Sequence, residues 1–470
     1  MALILALDQG GHASRALLFD AAGQERARAV REVAVHREGD DRVEQDAEEL
    51  VSSLESAARE VLRSPAVVTG AGLATQRSSI VCWDATTGEA LGPVLSWQDR
   101  RAAEWMRTLA PPASTIRERT GLFPSAHYGA SKLRWCLDHW PRVGAAARSG
   151  RLAWGPLAAF LAFRLTERTV GVPACVDPAN ASRTLLWNLH TRDWDDELLA
   201  RFGLERAGLP RCVPTTHDHG PLRVAPATRL RVLTGDQSAA LYAFGDPSPE
   251  NLYVNLGTGA FAQRPSTPGL TLPERLPASV VLEDPRGVVQ VSEGVVNGAG
   301  SALAWLASES GTALESSLAR WLEDETDPAL FLNGIAGLGS PYWVPDYPSR
   351  FVGSVTLAAR TVGLIESILF LLRVNLEEMN ARMPPPRRIL CTGGFAGLDA
   401  LCQRFANLVG IPVERPEQGE ATARGVAWLT TARTAPWPSE RTDRFDPRTD
   451  SRLEQRYSEW RKLLEASLRS

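Results

Sequence analysis

The stretch LALDQGGHASRALLFD places Asp8 at the end of an apolar run, follows it with a turn through Gly10 and Gly11, and then resumes an apolar run. A tight glycine turn between strands exposes successive backbone N–H groups with no Cβ in the way, and such a concavity binds anions. A carboxylate beside it repels phosphate unless a divalent cation lies between them, so Asp8 reads either as a Mg²⁺ anchor or as the acceptor of an Asx turn. In TGDQSAAL, Asp236 stands at a helix start, where free N–H groups favour an ionised carboxylate. It is either a base for a hydroxyl proton or a helix cap. NLYVNLGTGAFAQR repeats the opening device around Gly257, Thr258 and Gly259, and two such turns facing each other make a clamp for a polyphosphate. In CTGGFAG, Gly393 and Gly394 let backbone approach a flat ligand. THDHG sets His217 and His219 two apart with no third ligand, which reads as a solvated loop rather than a metal site.

Composition narrows the chemistry. The chain has 470 residues, long enough for two domains, and a formal net charge of −4, so no global field favours nucleic acid or an anionic membrane. Its only lysines are Lys132 and Lys462. Neither follows glycine as a P-loop requires, and neither sits in the strand motif of protein kinases. Phosphate must therefore be held by backbone, hydroxyls, arginine or metal. Six scattered cysteines without a C-x-x-C pair fit a reducing cytoplasm. MALILAL lacks the basic start of a signal peptide and no apolar run is long enough to span a bilayer, so the expectation is a soluble chain.

These groups need a scaffold. LILALD, RALLFD, VVTGAGLAT and RLRVLTGD read as strands, and the N-terminus as a meander; SSIVCWDATTGEAL contains a hairpin signal. From RAAEWMRTLA to about residue 165 the apolar spacing is helical. RRILCTGG, LDALCQRFANLVG and IPVERP form a strand, a helix closed by Gly410, and a strand. The recurrence of strand, glycine turn and strand makes the two halves look like distant copies. SRLEQRYSEWRKLLEASL reads as a peripheral amphipathic helix.

Taken in order, LALDQG…SRALLFD, GLATQRSSIVCWDATTGEALGPVLSWQDRR, NASRTLLWNLHTRDWDDELL, TGDQSAAL, LGTGAFA, GLGSPYW and CTGGF…VERPE…EATARGVAWL resemble blocks of the FGGY carbohydrate kinases, most closely their glycerol-kinase branch. The resemblance runs to about residue 430. It implies an α/β protein of two actin-like (ribonuclease H-like) domains with a ligand cleft between them. Residues 1–243 would mostly bind substrate, 244–432 mostly nucleotide, with 433–470 a helical tail. It implies ATP and Mg²⁺ as cofactors. Asp8 and Asp236 match positions that hold the metal, usually through water, and Asp236 matches the catalytic base. Arg77, Ser78, Trp97, His127, Asp236, Gln237 and Phe261 fall on the polyol pocket. Gly10, Gly11, His12, Arg15, Gly257, Thr258, Gly259, Gly300, Gly393 and Gly394 fall on nucleotide-binding positions.

The departures bear on substrate. The family usually has two threonines where this chain has Gly11 and His12. Glycerol kinases follow the pocket arginine with glutamate, replaced here by Ser78; their pocket tyrosine aligns with His127; an adenosine-side asparagine falls on Leu398. The glycine-rich loop tied to sugar-bisphosphate inhibition is shortened around RVAPATRLRVL. The expected activity is ATP-dependent phosphorylation of a hydroxyl of a small polyol or sugar, in the cytoplasm, with a small-molecule partner, no nucleic acid and no membrane insertion. Homo-oligomerisation stays open. The alternative, motivated by Gly11, His12 and Leu398, is a catalytically weak protein of this fold that binds nucleotide or sugar as a sensor; retention of both Asp8 and Asp236 speaks against it.

Overall fold

A computed structural model describes residues 2–39, 41–63, 67–109, 113–167, 172–266, 273–417, 420–433, 437 and 441–469. The chain forms two compact units. One comprises residues 1–247, 278–290 and 420–439; the other comprises 248–277, 291–419 and 440–470. Two short segments that follow residue 247 thus return to the first unit, so the division is not the contiguous one expected from sequence.

In the first unit, strand Ala2–Gln9 is buried over nearly its whole length. An almost continuous apolar run suits a central strand covered on both faces. It pairs antiparallel with Ala13–Asp20 and parallel with Val67–Thr75. Strand Ala225–Gly235 extends the sheet, parallel to Val67–Thr75. Glu25–Glu32, which alternates charged and small residues, forms one edge. Helix Ala47–Val61 lays Leu50, Leu54 and Ala58 into the core and is capped by the Asp46 carboxylate, which accepts from the Glu49 N–H at 2.8 Å.

The second unit repeats the connectivity. Asn251–Leu256 pairs antiparallel with Ala260–Pro265 and parallel with Arg388–Thr392, and Ala260–Pro265 pairs with the end of Gly287–Val296. Val413–Pro416 continues the parallel run and Thr442–Phe445 closes it antiparallel, as Thr216–Leu222 does beside Ala225–Gly235 in the first unit. The resemblance between the halves is therefore one of whole sheets, antiparallel pairs on both sides of a parallel core in each.

Some local readings change. His217 and His219 lie on strand Thr216–Leu222, not in a loop, with ring centroids 5.1 Å apart. Among the described residues no cluster of three metal-ligating side chains forms, there or elsewhere. The stretch up to residue 165 is interrupted by strand Leu152–Pro156, which pairs with Ile80–Asp84. Helix Ser451–Ser467 is not peripheral: Leu453, Tyr457, Trp460 and Leu464 are buried in the second unit's core, and Arg456 between them turns inward, its Nε donating to the buried Glu366 carboxylate at 2.9 Å. Trp460 also donates its indole N–H to the Phe331 carbonyl at 2.9 Å. Among the described residues no helix is long and apolar enough to cross a membrane.

Burial of Trp460 makes the C-terminal helix part of the fold's stability. Trp460→Ala is expected to destabilise by about 3–5 kcal/mol, the usual cost of emptying a buried aromatic site. Urea unfolding followed by circular dichroism checks it; a change within about 0.5 kcal/mol, typical of surface substitutions, contradicts the placement.

Candidate active site

Three parallel strands of the first unit end in register. Gln9 pairs with Thr75, and Thr75 with Gly235. Asp8, the segment Gln76–Ser78 and Asp236 therefore emerge side by side at the carboxyl ends of adjacent strands, the edge where open α/β sheets bind ligands. The Gln76 N–H donates to the Gln9 carbonyl at 2.8 Å and locks two of these ends together.

Asp8 is 4% exposed. Its Oδ2 accepts from Arg15 Nη1 at 3.3 Å, a cross-strand pair set by the register Asp8↔Arg15. Among the described residues no backbone N–H donates to this carboxylate; the turn closes through the Gly10 N–H to the Ala13 carbonyl at 3.0 Å. The Asx-turn alternative is thereby removed. Burial pushes the Asp8 carboxyl up to about 7; the Arg15 guanidinium opposes that rise, and the charges of Asp236 and Glu420 add to it. Arg15 Nε also lies 3.7 Å from Glu420 Oε2, whose other oxygen accepts from Arg28 Nη1 at 3.0 Å.

Asp236 opens helix Asp236–Ala240, but the N-cap is Gly235 and no side chain caps the helix. The Gln237 N–H donates to Asp236 Oδ1 at 2.7 Å, which fixes the carboxylate's orientation. Burial raises its pKa, against the opposing charge of Arg77, the Gln237 bond and the charge of Arg183. Arg77 is itself buried, and its stem packs on Gly235, where a Cβ would lie 2.5 Å from Cγ. The capping alternative for Asp236 is not what this geometry displays.

Ser78 is buried with φ of 64°, a left-handed backbone that a serine adopts only when its surroundings enforce it, and no protein group bonds its Oγ among the described residues. The Trp97 ring lies edge-on to His127 at 5.7 Å, and His127 edge-on to Tyr128 at 4.9 Å. Burial, then the cations Lys132, Arg183, Arg100 and Arg77, hold His127 well below its usual range, so its imidazole is neutral at pH 7. A Cβ on Gly11 would stand 3.8 Å from Gln76 Oε1 and 3.9 Å from Trp97 Nε1. The first turn and the Trp97 wall are thus neighbours. His12 is exposed, its carbonyl accepting from the Val33 N–H at 3.0 Å.

In the second unit, Gly257, Thr258 and Gly259 form the turn between Asn251–Leu256 and Ala260–Pro265. Helix Gly300–Ser310 docks on it: the Gly300 N–H donates to the Gly257 carbonyl at 3.0 Å, and the Ser301 N–H to the Thr258 carbonyl at 3.0 Å. A Cβ on Gly300 would approach the Gly257 carbonyl to 2.9 Å and the Phe395 ring to 3.0 Å, so only glycine lets turn, helix and the 393–397 loop converge. Gly393, at φ of 93°, and Gly394 follow strand Arg388–Thr392 directly, in register with the end of Asn251–Leu256. Phe261 sits beside Gly259 in this unit. The structure thus groups Asp8, Gly10, Gly11, Arg15, Arg77, Ser78, Trp97, His127, Asp236 and Gln237 in the first unit, and Gly257, Thr258, Gly259, Phe261, Gly300, Gly393 and Gly394 in the second.

Four neighbours were not singled out from sequence. Glu420 precedes helix Ala421–Thr430 and meets Arg15 only because that helix returns to the first unit. Gln76 reaches Gln45 Oε1 through its Nε2 at 2.6 Å. Arg183 donates to Ser279 Oγ at 3.0 Å and lies 5.5 Å over the Tyr128 ring. Lys132 is fully buried. Only Lys132 carried a signal, as one of two lysines in the chain.

The resting arrangement fits a Mg²⁺ site. The charges of Asp236 and Glu420 press on the buried Asp8 carboxylate, and a divalent cation relieves that repulsion.

Comparison with known proteins agrees with this geometry. Residues 3–234 match the N-terminal domain, and 252–433 the C-terminal domain, of the FGGY family of carbohydrate kinases. A glycerol kinase of Bordetella parapertussis is 34% identical over 497 aligned positions, covering 99% of this chain and 97% of that protein. Glycerol kinase 1 of Pseudomonas aeruginosa is 33% identical, covering 91% of this chain and 89% of that protein. In fold, the crystal structure of Plasmodium falciparum glycerol kinase with ADP superposes with a TM-score of 0.88 at 21% identity, covering 100% of this chain and 98% of that one. A xylulose-type kinase of Brucella ovis superposes at 0.85 and 24% identity, covering 99% and 98%. Matched through both domains and nearly end to end, the chain belongs to the FGGY family of carbohydrate kinases, enzymes of two actin-like domains that use ATP and Mg²⁺ to phosphorylate a sugar or polyol.

Proposed function

We propose that this kinase acts on a small polyol or sugar longer than glycerol. Ser78 carries the reading. A buried hydroxyl with no protein partner costs free energy unless something bonds it, and a further hydroxyl of the acceptor supplies that bond. Serine is also short, and Gly11 carries no side chain toward Gln76 and Trp97, so this side of the pocket has room.

In the first unit the acceptor then meets Arg77, Ser78, Trp97, His127, Asp236 and Gln237; Phe261, in the second unit, keeps the acceptor-binding role read from its place in the sequence. Asp236, oriented by the Gln237 N–H, takes the proton of the attacking hydroxyl at its carboxylate. Its raised pKa makes it a stronger base than an exposed aspartate. The charge of Arg77 favours the ionised carboxylate. Nucleotide-binding roles fall on Gly10, Gly11, His12 and Arg15 within the first unit and on Gly257, Thr258, Gly259, Gly300, Gly393 and Gly394 within the second. Backbone N–H groups supply the phosphate contacts where Gly11 and His12 replace hydroxyls. Asp8, with Asp236, would hold Mg²⁺. Bound there, the metal neutralises charge on the phosphoryl oxygens.

By this reading residues 1–243 mostly bind the acceptor and 244–432, apart from the stretches 278–290 and 420–432 that belong to the first unit, mostly the nucleotide, with helix Ser451–Ser467 supporting the second unit. Six free cysteines fit a cytoplasmic location, and the −4 charge a small-molecule rather than nucleic-acid partner.

Three measurements test these roles. Asp236→Asn is expected to lower turnover by roughly 10²–10⁴-fold while binding of metal-free ATP persists, since the base and one metal anchor are lost but not the phosphate-binding turns; turnover near that of the unmodified enzyme removes Asp236 from the mechanism. Asp8→Ala is expected to weaken Mg·ATP binding much more than binding of metal-free ATP, compared by calorimetry with and without EDTA. Equal losses make Asp8 a structural residue. Finally, a panel of glycerol, tetritols, pentitols and ketoses assayed with ATP should show the longer acceptors preferred. Ser78→Glu with His127→Tyr should improve glycerol by about ten- to a hundredfold in affinity, the worth of a charged hydrogen bond, and impair the longer acceptor. Preference of the unmodified enzyme for glycerol contradicts this pocket.

A further inference from the structure

Lys132 lies on helix Gly129–His139 with its side chain wholly inside the first unit. Its Nζ donates to three backbone carbonyls: Ser96 at 2.7 Å, His127 at 2.8 Å and Ser78 at 3.1 Å. An ammonium has three N–H donors and no acceptor, so its whole hydrogen-bonding capacity is spent on main chain. The three carbonyls come from three segments distant in sequence: the turn after strand Val67–Thr75, the end of strand Val94–Leu95, and the loop that enters helix Gly129–His139. Each belongs to, or directly precedes, a residue of the acceptor pocket: Ser78, Trp97 and His127.

The charge is an expensive means of filling space. Burial drives the Lys132 ammonium down to about 7; Asp99 opposes, while Arg100 and Arg101 push the same way, and Cys136 of its own helix opposes weakly. An apolar side chain of equal volume carries no such penalty. What only the ammonium supplies is convergence, since three carbonyl oxygens repel one another and draw together only around a cation or donors. The left-handed backbone of Ser78 is the kind of conformation that persists where neighbours over-determine it, and the bond from Lys132 is one such determinant. The edge contacts of Trp97 with His127 and of His127 with Tyr128 depend on where the other two carbonyls are held.

Resting on the acceptor-pocket reading above, we propose that Lys132 is a positioning residue: without touching the acceptor, it ties the Ser78, Trp97 and His127 segments into one pocket wall and so sets acceptor recognition.

The test is steady-state kinetics of the full chain and of Lys132→Met, with the preferred acceptor of the panel and ATP varied in turn and folding followed by circular dichroism. Displacing a pocket wall by a fraction of an ångström to 1 Å is expected to raise the acceptor KM by about tenfold or more, with the ATP KM within about twofold. Lys132→Gln, which keeps two donors on a shorter neutral arm, should fall between. It also serves in place of the methionine variant if that one does not fold. A folded variant with an unchanged acceptor KM, or with acceptor and ATP KM raised equally, overturns the proposal, as does failure of both variants to fold. If the unmodified enzyme phosphorylates no member of the panel, the pocket reading itself fails, and that result is distinct from either variant's behaviour.

Discussion

A carboxylate buried at the end of a central strand is the constraint around which the first unit is arranged. Asp8 sits where desolvation alone favours the neutral acid, and it shares that place with the charges of Asp236 and Glu420. The unit answers with Arg15, held opposite Asp8 by the strand register and braced on its other side by Glu420. That balance is a resting state suited to exchange. Arginine supplies the cation beside the buried carboxylate, and Glu420 offers it a second partner.

Strand register does for the site what no single motif does. Because Gln9, Thr75 and Gly235 are neighbours across the sheet, residues widely spaced in the chain become adjacent without any long side chain having to reach. The second unit uses the same device, with Asn255 beside Thr392 bringing the two glycine turns together and Gly300 seating a helix against them. Duplicated sheets thus carry different chemistry: carboxylates at the strand ends in one unit, bare backbone in the other.

Much of this could be read from sequence, and the remainder shows what sequence withholds. Asp8 and Asp236 were recognisable because a polar residue at the boundary of an apolar run is a local signal, as were the glycine turns. Their alternatives, an Asx turn and a helix cap, could be separated only by hydrogen bonds, which are not written in residue order. Glu420 and Arg183 were passed over because their partners are non-local. The peripheral reading of Ser451–Ser467 failed for a different reason: a narrow apolar stripe of Leu453, Tyr457, Trp460 and Leu464 is enough to bury one face, and charge elsewhere on a helix says little about that face. His217 and His219 sat in a polar stretch that resembles a loop, yet alternate along an edge strand as two-residue periodicity allows.

The return of helix Ala421–Thr430 to the first unit has a consequence in time. It packs on the sheet through Gly72 and on helix Asp236–Ala240 through Gly425, and it brings Glu420 to Arg15. A ribosome releases this segment only after nearly all of the second unit has been made, so the N-terminal unit waits for its last piece while its neighbour emerges. The N-terminal sheet can collapse early, but the electrostatic setting of Asp8 is completed only near the end of synthesis. A nascent or truncated chain lacking residues 420–430 therefore keeps Arg15 opposite Asp8 but without Glu420, the arginine's second partner, and the surroundings of Asp8 mature as one of the last acts of translation.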